Sequence, residues 1–477
     1  MNNITQIGLL LCTVFNCTEG FYLFKFMMMK TLLYFFCFIL ITTCAPVPKQ
    51  PEVLKEFHEG IIFPLQKDHV HGPTVVELPN GDVLAGWFQG SGERWADDVK
   101  IMGARLNKGD TTWSAPFELA DKPGFPDINP MMFMDTQERL WLMWYPVLGN
   151  LWETSLPMYR ISKDYNGEGA PVWDWQDVLL VKPGDPTERG IQPDDRFVAG
   201  VHKQLEEYEA YFKKENLPQY PEEKKKEYLA HWESYKAKVD SLAKGENMVQ
   251  KGKIKKADGE TEEAMLGYPL SRRIGWQTKN KPLIIGERLI VPLYSDGMDV
   301  SIFAISDDWG ANWQFSSPVL GDAGIQATLA VKKDSTLVAY FRDNGAPPQR
   351  IQVSESKDKG LTWSIPIDTE LPNSGAGFDM VTLQSGEWLI VYNDSEEHRH
   401  NVAVAISDDD GKTWKWKKYL ENDTREENAT KSHYPAVIQG KNGMIHVIYS
   451  HHYNDKDDGP DKTVKYLTFP VDWVKSE

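Results

Sequence analysis

Few side chains of this sequence are suited to chemistry, and their spacing narrows the choice. All four cysteines, Cys12, Cys17, Cys37 and Cys44, fall in the first 44 of 477 residues. The rest of the chain therefore has neither a disulfide framework nor a cysteine–metal site. His451 and His452 in "YSHHY", with His433, are of metal-ligating type. Adjacent histidines at a strand end point to opposite faces, so no metal and no other cofactor is expected. A hydroxyl–carboxylate pair recurs in the frame Ser-x-Asp-x-Gly-x-x-Trp, at Ser306–Trp313, Ser356–Trp363 and Ser407–Trp414. Its Ser and Asp can bond the turn's own backbone, its Gly accepts a positive φ and its Trp packs between strands, so the frame is structural. What remains is His71 in "HGP", Arg342 in "FRDNG", Arg399 in "RHN" and Tyr434 in "HYP". These are an imidazole that titrates near neutrality, two planar cations suited to carboxylates, and a phenol. Three of them have a plainer reading: His71 as a strand-end residue, Arg342 as the ion-pair partner of Asp343, Tyr434 as a wall aromatic.

The elements that must position them repeat. The three frames stand 50 and 51 residues apart (356 − 306 and 407 − 356), a period that signals a repeat architecture. Six segments share one grammar, a strand, a turn rich in Asn, Gly or Asp, and a second apolar strand ending in an aromatic: 71–87, 129–144, 280–294, 325–340, 378–392 and 433–449. Alternation and turn chemistry make each a β-hairpin. A further strand and a Trp-bearing turn follow four of them, degenerate at Trp113; after the second hairpin, Ser162 and Asp164 form a frame stretched by an insertion. Four strands per unit and six units predict an all-β, six-bladed β-propeller. Residues 190–250 break the rhythm and read as two amphipathic helices around Pro218 and Pro221, a helical-hairpin insertion whose charge runs form a solvated face.

Composition sets the class. With 41% hydrophobic and 25% charged residues the chain is globular, and its formal net charge of −17 argues against nucleic acid as a partner. An anionic saccharide is still allowed where arginines cluster locally. The segment 1–44 contains "MMMKTLLYFFCFILITTCAP", a short basic region and an apolar run too short for a comfortable membrane span. It reads as an export signal ending at a lipobox-like "ITTC". Cys44 is then the lipidation site, 45–56 a linker and 57–477 the propeller, and the protein is expected in the periplasm or at the cell surface, held to the membrane by its lipid. An ordinary secretory signal is the plainer reading.

Frames of this form on a six-bladed propeller resemble the sialidase superfamily over roughly residues 57–473. That resemblance implies a carboxylate clamp of three arginines, a tyrosine nucleophile paired with a glutamate, and an aspartate as acid/base. Arg342 matches the second arginine, at the end of "QATLAVKKDSTLVAYFR"; Arg399 matches the third, and Tyr434 in "HYPAVIQGKNG" the nucleophile. The sequence departs at two places. His71 stands where the first arginine of an Arg-Ile-Pro triplet belongs, and Gln326 where the glutamate belongs. The acid/base aspartate falls in "WADDV", as Asp97 or Asp98.

These departures change the chemistry. A phenol of pKa near 10 is a poor nucleophile without a base, and Gln326 is none. A uronic acid lying over the channel suits the remaining set better. Arg342 and Arg399 would hold its C5 carboxylate as charge builds there, His71 would take the C5 proton, and Tyr434 would act as acid or base. The expected reaction is β-elimination across C4–C5 of an anionic oligosaccharide or polysaccharide of the ulvan type, by a lyase or a chain-end dehydratase. Gln326, Asp97 and Asp98 are expected among the substrate-binding residues. An exo-α-sialidase and a non-catalytic glycan-binding lipoprotein are the alternatives.

Overall fold

The computed structural model describes residues 56–183, 195–244, 250–255, 260–266, 273–425, 427–454 and 459–476. The expected signal segment, Cys44 and nearly all of the linker lie outside them. Six four-stranded antiparallel sheets form the blades of a propeller. Blade one is built from His69–Glu77, Val83–Gly90, Lys100–Leu106 and Phe117–Ala120, and blade two from Asp127–Met134, Leu140–Pro146, Met158–Ser162 and Trp175–Val178. Blade three contains Leu283–Ile285, Arg288–Ser295, Val300–Ser306 and Gln314–Phe315; blade four contains Gly324–Val331, Leu337–Asp343, Arg350–Ser356 and Ile367–Pro372. Asp379–Thr382, Trp388–Tyr392, Asn401–Ser407 and Trp416–Asn422 make blade five. Blade six takes Lys431–Gln439, Met444–His452 and Lys462–Pro470 from the end of the chain and its outer strand, His58–Ile61, from the beginning. His58 pairs with Thr468 and Ile61 with Lys465, so backbone hydrogen bonds close the ring.

The recurring frames do what their residue types dictate. Ser306 Oγ donates to Asp308 Oδ1 (2.8 Å) and accepts from Gly310 N (2.8 Å), while Asp308 Oδ1 accepts from Asn312 N (2.8 Å). The same bonds recur at Ser356–Asp358 and Ser407–Asp409. In the second frame Trp363 donates to Gly360 O (2.9 Å) and stacks on Phe303, with ring centroids 4.3 Å apart. Turn polarity is thus satisfied internally, and the indole joins one blade to its neighbour.

The insertion contains α1 (Arg196–Tyr211) and α2 (Glu222–Lys244). Asp195 caps α1 by accepting from Val198 N. Phe197, Val201, Leu205, Tyr208 and Phe212 recur at helical spacing and are buried with Trp232, Val239 and Ala243 of α2 against Trp276, Leu289, Leu293 and Met298 beside or within blade three. Each large side chain so buried contributes roughly 1.5–3 kcal/mol. The hairpin is therefore docked, by an apolar face that its charge runs obscure in sequence. Tyr235 donates to Asp299 O (3.0 Å) and Lys238 pairs with Asp299 (2.7 Å), which fixes α2 to the loop after the second strand of blade three. Gln250–Lys255 and Thr261–Leu266 pair as a separate two-stranded sheet.

Candidate active site

The innermost strands carry a shared irregularity that aims side chains into the central channel. In blades one, two, four and six the pairing slips between His71 and Thr74, Ile128 and Met131, Ile325 and Thr328, and His433 and Ala436. Each slip opposes two residues to one, a β-bulge. The first bulged residue has a positive φ in every case: Gly72 (57°), Asn129 (46°), Gln326 (53°) and Tyr434 (53°). A bulky residue with that φ is costly, of order 1–3 kcal/mol, and such strain gathers at functional sites. Gly72 is forced by packing as well, because a Cβ there would lie 2.4 Å from Asn129 Oδ1 and 2.9 Å from Phe88 Cε1.

Register then supplies the partners. The residue opposite the position before each bulge is Phe88 in blade one, Tyr145 in blade two, Arg342 in blade four and Ser450 in blade six. One hairpin position therefore places an arginine in one blade and a phenol in another. A polar chain links them across the channel. Asn129 Nδ2 donates to Tyr145 Oη and Tyr294 Oη (both 3.1 Å), and Gln326 Nε2 donates to Tyr294 Oη (3.0 Å) and Tyr434 Oη (3.4 Å). Arg342 Nη1 donates to Tyr434 Oη (2.7 Å) and Gln326 Oε1 (3.3 Å), and its Nη2 to Asn344 Oδ1 (3.1 Å). Asp343 turns away and accepts from Gly345 N and Arg350 N, so Arg342 is not its ion-pair partner.

On the other side of Tyr434 lies an imidazole cluster. His71 is buried with its ring centroid 4.3 Å from that of Tyr434 and 5.2 Å from that of His433. His433 in turn lies 4.9 Å from His452, and His69 lies 5.6 Å from His71. Arg399 Nη1 is 3.1 Å from His433 Nδ1 and its Nη2 donates to Gly375 O (2.7 Å). A guanidinium only donates, so His433 Nδ1 is an acceptor and that imidazole is neutral with its proton on Nε2. Burial first, then the charge of neighbouring histidines, holds His71 well below its ordinary pKa. It is neutral at pH 7, and its Nδ1 is buried without a hydrogen-bond partner. His69, His71, Glu93, Arg399, Lys431, His433, His452 and Asn454 line a cavity of about 170 Å³. His451 faces the other way, bonded to Ser432 Oγ (2.9 Å), as strand alternation requires. Among the described residues no group of three or more His, Asp or Glu is placed to hold a metal ion.

The structure thus brings His71, Arg342, Arg399, Tyr434 and Gln326 together. Asp97 and Asp98 are placed differently. Asp98 caps its own loop through Ser91 N and Oγ, and Asp97 accepts from Asn150 Nδ2 (3.1 Å); both are exposed. The carboxyls in the field of the arginines are Glu93 and Asp296, which the sequence reading missed. Burial raises Glu93 above its ordinary value, with Arg94, Arg342 and Arg399 opposing; burial pushes Asp296 up to about 6 against the pull of Arg342. Lys279 was missed too. It is buried, its Nζ lies 5.4 Å from the Tyr434 ring centroid, and burial brings it down to about 8. Its signal in sequence was "TKNK", two lysines just ahead of an apolar inner strand.

The model of the BNR repeat-like domain matches residues 81–185 and 274–447. No curated protein matches the chain. Among solved structures, a protein of unknown function from Dyadobacter fermentans superposes with a TM-score of 0.56 at 14% identity, covering 87% of this chain and 98% of that one. The intramolecular trans-sialidase of Ruminococcus gnavus gives 0.52 at 15% identity, over 87% of this chain and 98% of its own. A Hadza microbial sialidase gives 0.53 at 14%, over 85% and 66%. At such identities these likenesses show the fold, a sialidase-like six-bladed propeller.

Proposed function

The chain belongs to the BNR repeat-like domain family, and we propose that it is a carbohydrate-active enzyme that eliminates across C4–C5 of a uronic acid. Its substrate would be an anionic polysaccharide or oligosaccharide of the ulvan type, met outside the cytoplasm. The observation that carries this reading is the state of Tyr434. Its oxygen accepts from both Arg342 and Gln326, while a neutral imidazole lies against its ring. With both lone pairs engaged, the phenol's own proton is available to a third party, and the phenolate left behind is already solvated by two donors. That is the arrangement of an acid. A nucleophile would need a base at 326, and the residue there is an amide.

The steps follow. The guanidinium groups have N–H donors left over, since Arg342 uses three of five and Arg399 two, and these would take the C5 carboxylate. His71 removes the C5 proton, and the electron pair forms the C4–C5 double bond as the C4–O bond breaks. Tyr434 delivers its proton to the departing oxygen, and solvent returns the proton from His71 to Tyr434. If the departing group is a sugar the enzyme is a lyase, and if it is water, a dehydratase.

The test is incubation with uronic-acid oligosaccharides while following the ultraviolet band of the conjugated double bond, with mass spectrometry of the products. An absorbing product that His71→Ala no longer forms is expected. Release of sialic acid from a sialoside, with no unsaturated product from any uronate, would refute elimination and favour the hydrolase.

A further inference from the structure

We infer that Arg94, Trp95 and Trp152 form a second subsite, for the sugar ring adjoining the uronate, and that this ring bears an anionic group. The inference rests on the elimination reading for the identity of the first ring, and its observations lie outside that site.

The indole of Trp95 is 64% exposed, unusual for the largest side chain in a well-packed protein. It is not loose. Arg94 Cζ lies 4.5 Å from the Trp95 ring centroid and 4.7 Å from that of Trp152, so the guanidinium is held between loops of blades one and two. Asn150 Nδ2 fastens the same loops by donating to Arg94 O (2.7 Å) and Asp97 Oδ1 (3.1 Å). Thr154 fixes the second loop by accepting from Gly149 N and donating to Leu151 O. The acids near Trp95 therefore serve the loop's shape: Asp97 ties it across and Asp98 caps it.

Arg94 lies in the field of the Glu93 and Asp296 carboxyls but bonds to neither. Among the described residues its guanidinium makes no ion pair and no hydrogen bond, and its Nε is buried without one. In a chain with 69 acidic and 52 basic residues, a cation stacked between two indoles with no hydrogen-bonded or contact ion-pair partner is well placed for an anion from outside. The platform also adjoins the site. Arg94 follows Glu93, and its charge acts on both Glu93 and Asp296. Trp152 packs edge-on against Tyr145 (6.4 Å between centroids), the far end of the hydrogen-bonded chain that reaches Tyr434. A sugar leaving the first site toward blades one and two would lay its apolar face on Trp95 and offer its sulfate ester or carboxylate to Arg94.

The experiment uses the full chain, with a monomeric methyl uronate glycoside, a sulfated uronate tetrasaccharide and the chemically desulfated tetrasaccharide. Trp95→Ala should raise KM for the tetrasaccharide about tenfold, as loss of one aromatic stacking contact does. It should leave kcat and the monomeric uronate unchanged, and Trp95→Tyr should restore most of the loss. Arg94→Gln should raise KM for the sulfated tetrasaccharide alone if the anion is sulfate, and for both tetrasaccharides if it is carboxylate. Unchanged KM in both variants, with turnover intact, overturns the subsite and leaves elimination standing. If the unmodified protein turns over none of the three, the elimination reading falls. Calorimetry with the sulfated tetrasaccharide then decides the subsite: weaker binding by Trp95→Ala upholds it, and equal binding overturns it.

Discussion

Replacing Arg342 by lysine tests the centre of the proposed mechanism. The charge is kept, so any loss measures geometry. The guanidinium makes three hydrogen bonds, to Tyr434 (2.7 Å), Gln326 (3.3 Å) and Asn344 (3.1 Å). An ammonium on a shorter, rounder head keeps one of these in any single rotamer. Two bonds are then lost, at about 1–1.5 kcal/mol each. If both are made in the transition state, kcat/KM falls by about 30- to 150-fold, taking about 1.4 kcal/mol per factor of ten. Loss of the remaining Nη2 contact to the substrate carboxylate would deepen the fall. The assay is the initial rate of unsaturated-product formation, with thermal melting of the same preparation to show that the fold is intact. A variant that melts normally and keeps its rate within threefold of the unmodified protein would mean that Arg342 does not hold the phenol and carboxylate as argued.

Gln326→Glu separates the two chemistries: a carboxylate 3.4 Å from Tyr434 Oη would accept its proton and pair with Arg342, so elimination should fall at least tenfold, whereas a sialidase would gain activity against a sialoside. The acid limb of kcat/KM should report His71, whose folded pKa is depressed by burial; a base must be unprotonated, so activity should be full at pH 6.5 and lost only as pH falls through that lower value. Glu93 has a raised pKa, so it becomes an anion as pH rises and should then repel an anionic substrate; KM should climb across that range, and Glu93→Gln should flatten the climb. Gly411→Ala places a Cβ 2.2 Å from Tyr340 Oη and 2.8 Å from Trp388 at φ 79°, which should cost about 2–4 kcal/mol by chemical denaturation, against about 1 kcal/mol for Gly443→Ala, where nothing lies within 4 Å.

The propeller was legible because its signals are local and repeated. Alternation within each hairpin and the serine–aspartate turns involve residues a few positions apart, and their physics does not depend on the rest of the fold. Two features needed the rest. The closing strand His58–Ile61 is four residues of "HEGI", and only its pairing with the last blade makes it a strand. The apolar face of the insertion is spread over a long, heavily charged sequence, and its docking on blade three shows only when Phe197, Leu205 and Trp232 are seen buried together.

Legibility of the site followed the same rule. His71, Gln326, Arg342 and Tyr434 sit at or opposite the bulge of an inner strand, a position fixed by hairpin register, so their convergence was inherent in the repeat. Glu93, Asp97 and Asp98 lie within six residues on one loop, and no register distinguishes them. The path of that loop does. Asn150, on the neighbouring blade's loop, holds Asp97 outward, Ser91 holds Asp98, and Glu93 is left facing the cavity beside His71 and Arg399. The choice of carboxylate is therefore made partly within the loop, by Ser91, and partly by blade two acting on blade one through Asn150, 53 residues from Asp97. The same Asn150 amide also fastens the loop at Arg94 O, beside the exposed Trp95. The loop that withdraws the two expected aspartates from the arginines is thus the one that offers a cation to a second anionic ring, and both effects have one structural cause.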